Sequence, residues 1–370
     1  MTAQRSRECD VLVLGSGVGG LSTAIVARKH GLDCIIAEKE PVFGGTTAFS
    51  GGVLWIPGNR HCRHLAPNDT REAAREYLKN ETGNFYQAEA VEALLDKGPE
   101  MLDWFERETE AKFVPTLYPD YHPTVGGGVD VGRSVLAAPY DSSVLGPDLH
   151  RLRPALSTIT FIGMMFNSSN ADLKHFFNAT KSLTSFLYVA RRLALHMKDL
   201  AIYRRGVQVT SGNALVARLA KTALDLKIPL LTSTGGKRLL VENGAVTGAI
   251  LEDKDGEIAV KARRAVVLAC GGFPHDLERL KKAYPHVARG GEHVSPTPEG
   301  NTGDGVKLGE QAGGRCELRF PSAAAWMPVS RVPRRDGSFG AFPHLLDRYK
   351  PGVIAVTRKG VRFCNESESY

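Results

Sequence analysis

Residues 9–39 constrain the fold more than any other stretch, because in order they have the pattern of one complete βαβ unit. The apolar run at 10–14 predicts a strand, the pattern at 21–30 predicts a helix that Gly31 stops, and 34–37 predicts a second strand. Three glycines with the spacing G-x-G-x-x-G lie between the first strand and the helix. Such a turn holds a pyrophosphate against the amides at the N-terminus of the helix. We therefore expect a dinucleotide site here.

The residues of this unit have separate tasks. Gly15 permits the tight turn, Gly17 lets a pyrophosphate approach the backbone, and Gly20 lets the helix lie close to the strand. Glu38 ends the second strand, where a carboxylate accepts hydrogen bonds from ribose hydroxyls. The predicted contacts of the ADP half are Gly15, Ser16, Gly17, Val18, Gly19, Gly20, Glu38 and Lys39. This unit alone fits NAD as well as FAD, since both contain that half.

The loop that follows, at 41–59, favours a flavin. It places two glycine pairs around hydroxyl side chains directly after the acidic strand end. A loop of this kind lets backbone amides come close to a second phosphate and to a flat ring, while the hydroxyls donate hydrogen bonds. The predicted contacts in this loop are Gly44, Gly45, Thr46, Thr47, Ser50, Gly51 and Gly52.

Together these motifs resemble the FAD-dependent oxidoreductase family of fumarate reductase and succinate dehydrogenase flavoproteins. The segment GGTT…SGG…W.P.N is similar to the 3-ketosteroid dehydrogenase branch, in which it wraps the flavin. The resemblance implies FAD as the cofactor. Membrane-bound members carry the flavin covalently on a histidine just before this loop, and Gly45 holds that place here, so a non-covalent FAD is expected.

Two later motifs support the same resemblance. The strand at 265–273 ends in A-C-G-G-F, which in the family closes over the ADP half and adds Ala269, Gly271 and Gly272 to the predicted site. The T-G-D-G at 302–305 opens a helix whose N-terminus, capped by Thr302 or Asp304, can stabilise negative charge on the cofactor. Residues 325–328 and 350–366 are similar to the start of the family's substrate domain.

The predicted fold class is α/β, with a Rossmann-like FAD-binding domain at 1–305. A parallel sheet is joined by a meander of short strands at 228–232, 238–242, 245–251 and 257–260, and residues 65–205 form a helical insertion. Within that insertion, helices are predicted over 69–111, capped by Asn68 or Asp69, and over 172–203.

An α+β substrate domain is expected from 306 to 370, only partly present. Family members continue well past Tyr370, so the sequence is expected to be a fragment or a truncated relative.

The resemblance implies hydride transfer from carbon to flavin N5, coupled to removal of a proton next to a ketone. Tyr121 matches the family's substrate-facing tyrosine and is the predicted proton acceptor, which requires a pKa below the usual value near 10. The branch's second tyrosine is expected at 337–346, where only Phe339 and Phe342 stand.

Two alternatives remain open. One is reduction of an activated C=C, with Arg331, Arg334 and Arg335 as acid and carboxylate clamp, although these residues also fit an exposed basic turn. The other is a flavin-binding module without catalysis. The expected partners are a ketosteroid, another cyclic ketone or an unsaturated acid, together with an external electron acceptor.

Composition and pattern exclude several classes. The net charge of +7 is dispersed rather than clustered, which disfavours nucleic-acid binding. The sequence contains no apolar run near the roughly 20 residues that a membrane span needs, although 156–205 could contact a membrane surface. The N-terminus lacks a signal peptide and the six cysteines lack a C-x-x-C pair, which predicts a cytoplasmic protein with reduced thiols. The cluster RHCRH at 60–64 is interpreted as a surface loop rather than a metal site.

Overall fold

The computed structural model describes residues 5–166, 171–318, 323–344 and 352–366. The strands are β1 Arg5–Leu14, β2 Cys34–Ala37, β3 Val53–Trp55, β4 Phe113–Pro115, β5 Ser134–Ala137, β6 Tyr140–Asp141, β7 Gln208–Val209, β8 Leu230–Leu231, β9 Gly235–Glu242, β10 Ala245–Asp253, β11 Gly256–Leu268, β12 Val329–Pro333 and β13 Phe339–Pro343. The helices are α1 Val18–Lys29, α2 Arg71–Thr82, α3 Ala88–Glu108, α4 Ala171–Phe177, α5 Leu183–Tyr203, α6 Ser211–Asp225, α7 Leu277–Ala283, α8 Pro285–Ala288 and α9 Asp304–Gln311.

The centre of the fold is a six-stranded sheet in the order β8-β2-β1-β11-β10-β9. The first four strands run parallel, and β10 and β9 pair antiparallel at one side. The predicted α/β class, with a parallel sheet extended by a meander, is therefore confirmed. Strands β2 and β8 are neighbours although residues 38–229 separate them in the sequence, so the sheet is assembled from distant parts of the chain.

Both faces of this sheet are buried, as parallel strands require. Side chains of β1 alternate: Val11 and Val13 pack with α1 and α6, whereas Leu12 and Leu14 pack with the meander and α9. Helix α6 is buried along most of its length and packs against α1 and against the loop after β2. The loops at the carboxyl ends of β1, β2 and β11 therefore adjoin a closely packed core.

The meander differs from the prediction in one respect. The sequence predicted separate strands at 257–260 and from 265 onward, but β11 is continuous from Gly256 to Leu268. It pairs antiparallel with β10 and, on its other edge, parallel with β1. Arg263 of β11 bonds to Glu8 and Asp10 of β1, so charged residues in the middle of the strand are stabilised across it.

The segment between β2 and β8 contains α2, α3, a small sheet in the order β3-β5-β4, and the pair α4 and α5. Two details were predicted wrongly. Helix α1 starts at Val18 rather than Leu21, and the cap of α2 is Thr70 rather than Asn68 or Asp69. The helical stretch predicted over 172–203 consists of two helices, α4 and α5.

Near the other end of the described chain, β12 and β13 form an antiparallel hairpin. Thr158 Oγ1 donates to the Ala341 carbonyl at 2.6 Å and so ties this hairpin to the segment before α4. Residues 345–351 lie outside the described residues, and they include the last two positions of the stretch expected to hold a second tyrosine. Residues 319–322 and 367–370 of the predicted substrate domain also lie outside them.

Candidate functional site

The turn after β1 is closely packed at two of its three glycines. A Cβ on Gly15, whose φ is +108°, would lie 2.2 Å from the Ala269 carbonyl oxygen, and a Cβ on Gly20 would lie 2.0 Å from the Gly15 carbonyl oxygen. Neither position can hold a larger residue without a backbone shift. A Cβ on Gly19, in contrast, would meet nothing within 4 Å, which leaves open space beside the first turn of α1.

The loop after β2 faces this turn. Thr47 Oγ1 accepts a hydrogen bond from the Val18 amide at 3.1 Å, at the N-terminus of α1. The Gly44 amide donates to Ser16 Oγ at 3.1 Å, which ties the loop to the turn from the other side. The amides and hydroxyls of both segments therefore border one space, as a phosphate site requires.

Glu38 is 7% exposed and its carboxylate is oriented by three donors. Its Oε2 accepts from the Ser16 amide at 3.1 Å and from the Ser16 hydroxyl, and its Oε1 accepts from the Glu40 amide at 3.0 Å. A carboxylate has about four acceptor positions, so one remains for a ribose hydroxyl. The side chain thus holds the turn and the strand end together.

These segments enclose a cavity of about 450 Å³ at the carboxyl ends of β1, β2 and β11. The predicted residues that line it are Gly15, Ser16, Gly17, Val18, Gly19, Glu38, Lys39, Gly45, Thr46, Thr47, Ala269, Gly271 and Asp304. The predicted residues that do not line it are Gly20, Gly44, Ser50, Gly51, Gly52, Gly272 and Tyr121.

Several of the residues outside the lining support it instead. Ser50 Oγ donates to the Thr47 carbonyl at 2.8 Å and accepts from the Gly52 amide at 3.1 Å, which shapes the loop. The Gly272 carbonyl accepts from the Gly303 amide at 3.2 Å, which links the end of β11 to the start of α9.

The part of the cavity wall formed by Lys39 and the segment before α9 is polar. Lys39 Nζ donates to Asp304 and, at 3.0 Å, to Thr302 Oγ1. Asn301 Nδ2 donates to Thr46 Oγ1 at 2.7 Å, so the segment before α9 contacts the loop after β2 directly. The T-G-D-G motif thereby adjoins the cavity, whose lining includes Asp304.

Some lining residues were not predicted. They are Leu14, Ala37, Glu40, Arg153, Gly236, Leu268, Cys270, Pro298, Gly300, Asn301 and Leu308. Most of them adjoin a predicted motif, and that proximity was the available signal. Arg153 and Gly236 come from distant segments with no motif. Burial raises the pKa of the Cys270 thiol to about 11, so this thiol is neutral at physiological pH.

Tyr121 lies on the loop between β4 and β5 and its side chain is 74% exposed. The residues on either side of it are fixed. Asp120 Oδ1 accepts from the Trp55 indole at 2.7 Å, and the His122 amide donates to the Tyr77 hydroxyl at 3.3 Å. The structure thus holds the backbone of this loop but does not bring the Tyr121 side chain into the cavity lining.

A buried ion cluster anchors the same loop. Arg133 is 1% exposed; it donates to Asp120 Oδ2 at 2.8 Å, to Asp69 Oδ1 at 2.6 Å and to the Gly127 carbonyl at 2.8 Å. Burial raises the pKa of Asp120 above its usual value, while the Trp55 N–H and the Arg133 charge act in the opposite direction. Asp69, which the sequence placed at a helix cap, is a partner in this cluster.

The other candidate groups have local roles. Arg331 pairs with Glu292 at 2.6 Å and lies over the Phe339 ring, on the exposed β12–β13 hairpin. Arg60 and His61 both bond to Glu106. Within the described ranges, no group of three or more His, Cys, Asp or Glu residues is placed to hold a metal ion.

Residues 10–370 match the family described as FAD binding domain. The chain belongs to this family. Its cavity residues fit the cofactor, because the glycine turn leaves backbone space for a diphosphate and Glu38 keeps an acceptor for a ribose. FAD is therefore the cofactor of this protein. No described helix combines the length and apolarity that crossing a membrane requires.

Relatives and solved structures agree with this assignment. The chain is 42% identical over 369 residues to 4-oxocyclohex-2-ene-1-carboxylate 5-dehydrogenase of Sinomonas cyclohexanicum, covering 98% of this chain and 61% of the relative. The structure of 3-ketosteroid delta1-dehydrogenase from Sterolibacterium denitrificans in complex with 1,4-androstadiene-3,17-dione is 30% identical, with a TM-score of 0.84 over 98% of this chain and 64% of that one.

A flavocytochrome c3 fumarate reductase shares the fold, with a TM-score of 0.58 at 18% identity over 98% of this chain and 49% of that one. The predicted resemblance to this group of flavoproteins is thus confirmed. The chain spans slightly less than two thirds of the length of the two dehydrogenases named above.

Proposed function

We propose that this protein is an FAD-dependent dehydrogenase that introduces a C=C bond next to the ketone of a cyclic substrate. The observation that carries the proposal is the cavity that joins the glycine turn, Glu38 and the Thr46–Thr47 loop in a chain of the FAD-binding family. By their names, the two dehydrogenases similar to this chain act on substrates that differ greatly in size but share a ketone on a ring. A cyclic ketone is therefore the proposed substrate class.

The chain's residues would divide the work between binding and proton transfer. Bound FAD supplies a hydride acceptor. The glycine turn and the N-terminus of α1 hold phosphate, Glu38 holds the ribose, and Thr46 and Thr47 border the space beyond the phosphates. We propose that FAD is held without a covalent bond, since Gly45 offers no side chain at the position where the resemblance implies a flavin-linked histidine in membrane-bound members of the family.

Tyr121 remains the proposed proton acceptor at the carbon next to the ketone. Two features support it. Its hydroxyl is on an exposed side chain, and Asp120 and His122 fix the backbone on either side of it. In addition, Trp55, which bonds to Asp120, ends the short strand β3 within the segment 41–59 that is proposed to hold the flavin. This hydrogen bond connects the loop of Tyr121 to that segment.

The test is dehydrogenation of a cyclic keto acid and of a 3-ketosteroid by Tyr121→Phe, with an artificial electron acceptor. Loss of a general acid–base group lowers kcat by about 10²- to 10⁴-fold, and FAD content should not change. Tyr86→Phe is the control, because Tyr86 packs in a small separate cluster beside α2 and α3. Turnover of Tyr121→Phe within a few-fold of wild type would assign the proton transfer to another residue.

The alternative activity, reduction of an activated C=C in an unsaturated acid, has no specific support, since Arg331 is already paired with Glu292. If the purified protein reduces such an acid but oxidises no cyclic ketone, the arginine hypothesis replaces the one above. If it binds FAD and does neither, it is a flavin-binding module.

The remaining proposals concern organisation. We propose an FAD-binding domain at 1–305 with an insertion at about 65–205, followed by a substrate domain at 306–370. An external electron acceptor, absence of nucleic-acid binding and a cytoplasmic location are proposed on the grounds given from the sequence.

A further inference from the structure

Arg153 is a buried arginine in the wall of the FAD cavity, and its side chain is 11% exposed. Its backbone is clamped on both sides. Its amide donates to the Phe43 carbonyl at 2.9 Å, and its carbonyl accepts from Asn213 Nδ2 of α6 at 2.8 Å. The position of Arg153 next to the flavin loop is therefore fixed by two elements of the core.

The guanidinium of Arg153 lacks partners that its burial demands. Its Nε and Nη2 are buried without a hydrogen-bond partner. The nearest carboxylate oxygen, Glu40 Oε2, is 3.9 Å from Nη2, which is too far for a hydrogen bond, and the Phe49 ring lies 5.7 Å from the guanidinium carbon. A buried charge with unmade hydrogen bonds is costly, so such groups usually have a ligand or water as partner.

Other buried arginines of this chain show the contrast. Arg218 donates through all three nitrogens to the carbonyls of Ala138, Glu110 and Pro139. Among the described residues, Arg192 and Arg279 each leave Nε without a hydrogen bond, but both donate hydrogen bonds through other nitrogens. Arg153 leaves two buried donors without a hydrogen bond, and its carboxylate contact is the 3.9 Å ion pair with Glu40.

The charge balance of the cavity points the same way. Its described lining contains three acids, Glu38, Glu40 and Asp304, and two cations, Lys39 and Arg153. Lys39 is bound to Asp304 and Thr302. The described lining has a net charge of −1 with Arg153 and would have −2 without it, which would repel the negatively charged diphosphate of FAD more strongly.

Given FAD in this cavity, we propose that the guanidinium of Arg153 binds the diphosphate of the cofactor. The guanidinium stands beside the loop 43–49, whose Thr47 already contacts the N-terminus of α1. Arg153 thus supplies the positive charge that the G-x-G-x-x-G turn itself lacks. A planar guanidinium can give two parallel hydrogen bonds to phosphate oxygens, which a lysine cannot.

The experiment titrates apoprotein with FAD, ADP and adenosine and follows binding by flavin fluorescence and calorimetry. Arg153→Met should weaken FAD and ADP by the same factor, about 10- to 100-fold, and adenosine by less than about twofold. Arg153→Lys should recover only part of the loss. Arg151→Met is the matched control, because Arg151 lies two residues away and is bound to Asp148 and the Leu230 carbonyl outside the cavity lining.

A second measurement, the Tm of the apoprotein, distinguishes an effect on FAD binding from an effect on folding. Since Arg153 has no hydrogen-bonded partner without ligand, Arg153→Met apoprotein should melt at or above the wild-type Tm, whereas Arg151→Met should lower it. Equal losses for adenosine and ADP, or a lower apoprotein Tm for Arg153→Met, would show a structural role and overturn the proposal. Weaker binding of FAD with unchanged binding of ADP would also overturn the proposal, because it would show that Arg153 contacts the flavin part of the cofactor rather than the diphosphate. FAD binding within threefold of wild type would also refute it, and none of these outcomes depends on substrate turnover.

Discussion

The two adjacent glycines at the start of α1 allow a direct test of the turn. Gly19 and Gly20 are the second and third residues of the helix. A Cβ at Gly20 would lie 2.0 Å from the Gly15 carbonyl oxygen and 2.9 Å from its carbon, whereas a Cβ at Gly19 would meet nothing within 4 Å. Ordinary contacts are 3.4–4 Å, so Gly20→Ala must move the helix or the turn, and Gly19→Ala need move neither.

Both substitutions gain a similar helix propensity, up to about 1 kcal/mol, so the difference between them isolates the steric cost. Overpacking of a tight contact costs about 1–3 kcal/mol. We therefore expect Gly20→Ala apoprotein to be about 1–3 kcal/mol less stable than Gly19→Ala, and Gly19→Ala to be no less stable than wild type. Urea denaturation at equal m-values measures this difference. Equal midpoints for the two variants would refute the claim that Gly20 is required for helix-to-turn packing.

Three further predictions concern charge. Glu38→Ala should weaken FAD by about 1–3 kcal/mol in a fluorescence titration, since it removes charge-assisted hydrogen bonds, and unchanged retention would make Glu38 a purely structural residue. Arg133→Met should destabilise the fold by about 3–5 kcal/mol, because it strands two buried carboxylates, while Arg263→Met on the surface should have little effect in the same denaturation assay. Burial raises the pKa of Cys9, Cys34 and Cys270 from 9.0 to about 11. Because these thiols ionise first in the unfolded chain, their contribution to the free energy of unfolding is complete below pH 9 and declines as the pH rises to about 11. Replacing Cys270 with Ala should make that decline smaller.

The sequence predicted best those parts of the fold whose determinants are local. The βαβ unit is set by consecutive residues, and the loop after β2 carries its glycines and hydroxyls within a few positions of Glu38. Continuous β11 could not be predicted, because Lys261, Arg263 and Arg264 interrupt its apolar pattern. Its continuity follows from parallel pairing with β1 along the strand, from Arg5 opposite Ile258 to Leu14 opposite Leu268, and that partner is distant in sequence.

The site was predictable to the same extent. Its glycine turn and T-G-D-G segment have sequence signatures, but Arg153 has none, and its position depends on contacts with Phe43 and Asn213. Asp69 was misassigned for a similar reason. It is of a residue type that commonly caps helices and it lies next to a helix start, but its carboxylate accepts hydrogen bonds from the buried Arg133. The role of Tyr121 stays a prediction, because its loop is fixed by side chains whereas its own ring is exposed.

The central claim, that the cavity binds FAD without a covalent bond, is tested most directly by acid precipitation of the purified protein. We expect a yellow protein whose colour passes entirely into the supernatant, where the released compound is FAD rather than a smaller flavin. The pellet should be colourless, since Gly45 provides no attachment. A colourless protein that binds NAD, or colour that stays in the pellet, would contradict the account.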